Sequence, residues 1–211
     1  ADFRLRDVSR YPAVYGRDHS APELLGGFIY GLPELDGDSV RGARRVANPG
    51  CFATAISLAL GPLARAGVSG EAKVAAVTGS SGSGASPSAA AHHPSRDGNL
   101  RAYKPLAHQH APEVEQLFDR LAGKPSMRVA LVPVSGPFVR GIYAVCQVDL
   151  PEDWGAERVA ETLSTAYAGK PFVREYQDAG FQELMIVLKS ASPWASQHAR
   201  TNLVPKPEFM P

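Results

Sequence analysis

The chain changes character at one point, and that point limits the folds open to it. Before residue 51, Pro12, Gly16, Pro22, Gly26, Gly27, Gly31, Pro33 and Gly37 break it into short irregular segments, with little that could form a core by itself. After residue 51, apolar positions recur with regular periods. Ile56, Leu60 and Leu63 mark one stripe of a helix predicted over 52–66. Residues 73–78 are apolar and β-branched enough for a strand, and a Gly/Ser-rich loop follows over 79–87. Val114, Leu117, Phe118 and Leu121 stand at i, i+3, i+4 and i+7. They predict a helix opening near Pro112 and Glu113, where proline and a carboxylate suit a first turn. Residues 128–134 and 141–150 read as strands, joined through Ser135-Gly136-Pro137. Ala156, Val159, Ala160, Leu163 and Tyr167 mark another amphipathic helix, and 183–189 reads as a last buried strand. Helices and strands mix without strict βαβ alternation, so the expected class is α+β, a mixed sheet with flanking helices.

Composition narrows the classes of function. With 211 residues the chain has enough length for a sizeable core. A net charge of +1 gives no reason to expect nucleic acid or a membrane surface as partner. No apolar run approaches the roughly 18 to 20 residues of a membrane span. Cys51 and Cys146 are the only cysteines, which excludes a disulfide framework and an all-cysteine zinc site. Pairing of the two with each other stays open, and a cytoplasmic location is the default. Cys146 lies in an apolar strand-like run and reads as a packing residue. The start, Ala1-Asp2-Phe3-Arg4, has neither an initiator Met nor a signal-peptide pattern and reads as mid-chain sequence.

Cys51 carries the chemistry. It follows Pro49-Gly50 and opens the predicted helix, so unpaired N–H groups and the positive helix end would face its sulfur. Both favour thiolate and lower the pKa, and the same N–H groups could stabilise an oxyanion. The competing reading is a small buried cysteine. His108 and His110 lie just before the Pro112 helix; one could serve as acid and base toward Cys51, the alternative being a hydrogen-bonded pair. His92, His93, His108 and His110 are four candidate metal ligands, but their spacing matches no standard zinc pattern, and no metal is expected. The loop 79–84 offers backbone and hydroxyl donors to a phosphate, without the Gly-Lys-Ser/Thr of a Walker loop. His92, His93, Arg96, Arg101 and Lys104 form a basic run suited to an anionic substrate, or simply a solvated face.

Several segments in order resemble one family: Ala1-Asp2-Phe3-Arg4, Tyr15-Gly16 with His19 and Pro22-Glu23-Leu24, and Tyr30-Gly31-Leu32-Pro33-Glu34. Asn48-Pro49-Gly50-Cys51, Ser81-Gly82-Ser83-Gly84, Ala102-Tyr103, His108-Gln109-His110 with Pro112-Glu113, and Arg140-Gly141 follow. The pattern is similar to the N-acetyl-gamma-glutamyl-phosphate reductases of arginine biosynthesis. Their relatives in lysine biosynthesis reduce an aminoadipyl phosphate held on an amino-group carrier protein. The resemblance implies NADPH-dependent reduction of an acyl phosphate to a semialdehyde. It makes Cys51 the thioester-forming nucleophile and His108 the proton-transfer partner. It places Asn48, Ser81, Gly82, Ser83, Arg96, Arg101, Tyr103, Lys104 and His110 against the substrate, and Pro49 and Gly50 beside NADPH/NADP+.

The resemblance also implies three parts: 1–50 as the remnant of a Rossmann-type NADP-binding domain, 51–189 as a semialdehyde-dehydrogenase-like catalytic and dimerisation domain, and 190–211 as a divergent tail. The family's Gly-rich nucleotide turn is missing, so this chain alone is expected to turn over little or nothing. Gly84-Ala85-Ser86-Pro87 replaces the family's Gly-Ala-Gly-Arg, and His92-His93-Pro94, Arg96, Tyr103-Lys104 and Pro133-Val134 lean toward the carrier-linked branch. An acidic carrier docking on Arg96, Arg101 and Lys104 would account for the basic run. A homo-oligomer, dimer or tetramer, is expected. A non-catalytic assembly remnant and a cofactor-free Cys-His hydrolase remain as alternatives.

Overall fold

The computed structural model of the protein describes residues 3–84, 86–87, 92–177 and 184–188. Its first fifty residues carry α1 (Tyr11–Tyr15), β1 (Ile29–Tyr30), α2 (Pro33–Arg41) and β2 (Val46–Ala47). Both helices have proline in the first turn, where a missing N–H costs nothing. β1 and β2 pair in parallel over two residues each. The stretch holds more core than its punctuation suggests. Leu5, Tyr11 and Leu25 are buried together against Phe3, Val14 and Tyr15, while Tyr30, Leu32, Leu35 and Ala47 join the main core. The segment is also tied to the rest of the chain: the Arg6 N–H donates to Gln116 Oε1 at 2.7 Å, and Gln116 Nε2 donates to the Arg4 carbonyl at 3.1 Å.

The remainder runs α3 (Cys51–Arg65), β3 (Gly70–Thr78), α4 (His93–Arg96), β4 (Arg101–Ala102), α5 (His110–Ala122), β5 (Met127–Ser135), β6 (Ile142–Gln147), α6 (Ala156–Tyr167), β7 (Val173–Gln177) and β8 (Leu184–Leu188). The principal sheet has the order β4-β5-β3-β6. β3 and β5 are parallel, from Gly70↔Met127 to Thr78↔Ser135; β6 lies antiparallel on the other side of β3, and β4 antiparallel on β5. This is the mixed sheet of an α+β fold, as the patterning implies. α5 opens at His110, two residues before Pro112, which is tolerated because the first four N–H groups of a helix have no partner in it. β7 escapes the sequence reading because charged Arg174 and Glu175 interrupt its apolar pattern; it pairs with β8. β8 falls within the strand expected over 183–189, whose end residues, like the tail 190–211, lie outside the described residues.

One face of the sheet is covered. Ala72, Val74 and Ala76 of β3 and Met127, Val129 and Leu131 of β5 point inward, where α3 and α5 bring Phe52, Ile56, Val114, Leu117 and Phe118. Each large apolar side chain so buried stabilises the fold by about 1.5–3 kcal/mol. Among the described residues nothing covers the other face: Lys73 and Ala75 alternate outward on β3, and Tyr143 and Val145 on β6 are 62% and 42% exposed. Cys146, between two outward neighbours, packs toward the core, as expected. Among the described residues no helix is long and apolar enough to cross a membrane.

Candidate active site

Cys51 is the first residue of α3, with Gly50 as its cap. Three contacts fix Gly50. Its N–H donates to Glu113 Oε2 at 2.9 Å, and its carbonyl accepts from Thr54 N and Oγ1 at 2.8 and 3.1 Å. Its third side lies so close to the His110 imidazole that an added Cβ would overlap the ring. Glycine is therefore required here by close approach rather than by its backbone angles. The thiol is solvent-accessible. Surrounding protein nevertheless raises its pKa through burial, while the N–H groups of Phe52 and Cys51, then Arg4, pull it down and Glu113 adds a further upward push. The net direction is upward. This corrects the sequence expectation of a thiol already depressed by the helix start: desolvation outweighs the helix N–H groups.

His108 and His110 come together as the spacing suggests, though at a helix start rather than along a strand. Their rings stand 4.5 Å apart, and the Phe52 ring touches both at 5.3 and 5.9 Å. Burial lowers the His108 pKa to about 4, with Lys104 adding to the effect. Burial, His108 and Arg4 lower His110 to about 3. Both rings are neutral at pH 7. The His110 N–H donates to His108 Nδ1 at 3.2 Å, which leaves the ring proton of His108 on Nε2. Tyr103 is half-buried with its ring 5.8 Å from His108. Burial raises its pKa, Cys51 pushes the same way and Arg96 opposes, so these groups share one neighbourhood.

The Ser81-Gly82-Ser83 segment is a 3-10 turn over Ser80–Ser83. Its leading amides are already spent: Ser80 and Ser81 donate to the carbonyls of Phe138 and Val139 at 2.9 Å each, and Gly82 to Gly79 at 3.2 Å. The hydroxyls remain, exposed on Ser81 and Ser83. The basic run divides. Arg101 and Lys104 are exposed, whereas Arg96 is only 7% exposed and points inward. Arg96 Nη2 donates to the Thr78 and Gly136 carbonyls at 3.0 Å each and Nη1 to Ser83 Oγ at 3.4 Å. Its Nε is buried without a partner, and no carboxylate pairs with it among the described residues. A cavity of about 110 Å³ adjoins it, lined by Ser80, Asp97, Gly136, Pro137, Phe138 and Val139. Arg96 is thus no part of an exposed docking face, in contrast to the expectation.

Asn48 is exposed, and its Nδ2 donates to the Pro49 carbonyl at 3.4 Å. Pro49 is buried and lacks an N–H, and the Gly50 N–H is taken by Glu113, so neither offers a donor to a dinucleotide. His92 is exposed, and among the described residues no group of three or more His, Cys, Asp or Glu could hold a metal ion. Sequence reasoning missed Glu113, which read only as a carboxylate in a helix first turn; its contacts come from residues 63 to 109 positions away and leave no local mark.

Residues 51–199 match the sequence family described as semialdehyde dehydrogenase, dimerisation domain. The chain belongs to that family. The [LysW]-L-2-aminoadipate 6-phosphate reductase of Deinococcus radiodurans is 44% identical over 176 residues, covering 82% of this chain and 49% of the relative. The N-acetyl-gamma-glutamyl-phosphate reductase of Chlorobaculum tepidum is 41% identical over 177 residues, again 82% of this chain and 51% of the relative. The chain spans about half the length of these curated relatives. The resemblance drawn from the motifs therefore holds. The fold is that of the aspartate semialdehyde dehydrogenase II of Vibrio cholerae (TM-score 0.56, 16% identity, 83% of this chain and 68% of the other).

Proposed function

We propose that this chain is the catalytic and dimerisation part of an NADPH-dependent acyl-phosphate reductase, acting on a glutamyl or aminoadipyl phosphate through a Cys51 thioester. The observation that carries the reading is Cys51 at the start of α3, its sulfur beside two helix N–H groups, in a chain more than 40% identical to two phosphate reductases. The Cys51 sulfur bonds to the acyl carbon, the carbon–oxygen bond to phosphate breaks, and the thiol proton departs with the phosphate. The N–H groups of Cys51 and Phe52 face the oxyanion formed on the way. His108, neutral with its proton on Nε2, is the proton-transfer partner. Arg96, with the Ser83 hydroxyl, supplies positive charge for the leaving phosphate, taking the place of the arginine absent from Gly84-Ala85-Ser86-Pro87. NADPH, when bound, would supply the hydride. Arg101 and Lys104, exposed on either side of Tyr103, suit an acidic amino-group carrier.

Acyl transfer needs no reductant and gives the test. Mixed with the acyl phosphate, free or carrier-bound, the chain should release phosphate and gain the acyl mass on Cys51; Cys51→Ala should do neither. Phosphate release that persists in Cys51→Ala sinks the reading.

The bare sheet face we assign to a second copy of the chain. Register sets Ala75, Val77, Val132, Val134, Tyr143 and Val145 side by side there, an apolar patch on a domain whose family is described by dimerisation. Tyr143→Glu should convert a dimer to monomer in sedimentation velocity. A protein monomeric before the change would overturn this assignment.

A further inference from the structure

We propose that Glu113 is a positioning residue for the nucleophile: it pins the Gly50 amide and places a fixed negative charge against which the Cys51 sulfur must ionise. The proposal rests on the reading of Cys51 as nucleophile. Glu113 is completely buried. Its Oε1 accepts from Arg4 Nη1 at 3.3 Å and from the Tyr15 hydroxyl at 3.4 Å; its Oε2 accepts from the Gly50 N–H at 2.9 Å and the Tyr30 hydroxyl at 3.4 Å. Each carboxyl oxygen meets one partner that can only donate, Arg4 on Oε1 and the Gly50 N–H on Oε2, and these favour the carboxylate against the upward push of burial. With the Gly50 carbonyl held by Thr54 and its third side filled by His110, the backbone entering Cys51 is held on three sides.

The same bond sets up a competition. The start of α3 carries the positive end of its dipole and a few unpaired N–H groups. Glu113 claims this field through the Gly50 N–H, and the Cys51 sulfur claims it through the N–H groups of Cys51 and Phe52. Two anions in one field disfavour each other, so Glu113 keeps the resting sulfur as thiol, the form slow to be oxidised or alkylated. Arg4 works the other way, offsetting the carboxylate from 3.3 Å. The titratable or charged groups facing the pair are Arg4, Tyr15 and Tyr30 from the N-terminal segment, His110 from α5, and Tyr103 and His108 from the loop before α5.

Iodoacetamide alkylation of Cys51, followed by peptide mass between about pH 7 and 11, reads this out without any turnover. Cys146, whose thiol burial pushes up to about 11, serves as the slow internal thiol. Glu113→Gln keeps the side-chain shape and removes the charge. It should alkylate about three- to tenfold faster at pH 7, with the profile's midpoint at lower pH. Arg4→Gln should move the midpoint to higher pH. A carboxylate that only holds structure would lower the melting temperature and leave both midpoints in place. Unmoved midpoints, or midpoints that move in the same direction, overturn the proposal. Should Glu113→Gln fail to fold, as read by circular dichroism, Arg4→Gln decides: a midpoint that does not rise overturns it. Thiol reactivity is measured whether or not Cys51 accepts an acyl group, so failure here leaves the reductase reading standing, and the reverse.

Discussion

Glu113 and Arg96 are both nearly sealed from water, yet they are held in opposite ways. Glu113 has a counter-charge in Arg4 and a donor for each remaining acceptor direction. Among the described residues Arg96 has only two carbonyls and one hydroxyl, all neutral, and its Nε has no partner. A buried charge costs several kcal/mol unless it is paired, and the fold meets that cost for one and not for the other. A satisfied buried charge fixes structure. An unsatisfied one next to a cavity is arranged for something that arrives later. On that contrast, Glu113 belongs to the architecture of the Cys51 turn, and the role proposed for Arg96 is the binding of an anion.

Acid should destabilise the His108–His110 pair packed against the Gly50 turn and spare the Arg96 cluster, and this is the larger effect. The unfolded chain takes up protons on His108 and His110 near their ordinary value of 6.5, whereas in the folded protein they do so only near 4 and 3. The folded pKa values are depressed, so the stability these rings contribute is present in full above about pH 6.5 and is lost as pH falls toward 4. Glu113 works in the other direction: burial raises its pKa above the carboxylate norm, so the folded state gains its proton first. At pH 5 the cost is about 2 kcal/mol per histidine, offset in part by Glu113. Urea unfolding should show a marked fall in stability between pH 7 and 5, about half of it removed in His108→Gln. Arg96→Met should leave the pH dependence as it was, since Arg96 is not among the charges acting on either histidine. Equal stability at both pH values would erase the distinction between the two clusters.

How far each cluster could be read in the sequence follows from the range of its contacts. Helices α3, α5 and α6 and strands β3, β5 and β6 are legible because apolar periodicity is local, and each falls within a few residues of its expected span. Cys51, His108 and the Ser81–Ser83 turn stand out as motifs for the same reason. The role of Glu113 does not, because Arg4, Tyr15, Tyr30 and Gly50 converge on it only after folding. Arg96 was misjudged for a related reason. A run of basic residues reads as one charged face, but α4 turns Arg96 inward while β4 and the loop after it leave Arg101 and Lys104 outside. The direction of the Cys51 pKa was missed too, since helix position is visible in a sequence and desolvation is not.

The smaller effect tests the Arg96 side directly. If its charge awaits an oxyanion, inorganic phosphate at about 10 mM should stabilise the folded protein by roughly 0.5–1 kcal/mol, as expected for a ligand binding with millimolar affinity. Sodium chloride at matched ionic strength separates binding from general screening. Arg96→Met should fold, because losing a desolvated and unpaired charge offsets the loss of its bonds to Thr78 and Gly136. It should no longer respond to phosphate, while Glu113→Gln should respond as the unaltered protein does. Asp97 lines the same cavity and opposes an anion, so its replacement by Asn should strengthen the response. A phosphate effect of equal size in Arg96→Met would mean that the cavity's cation is not what the anion meets. The two buried charges would then differ only in how completely the fold satisfies them.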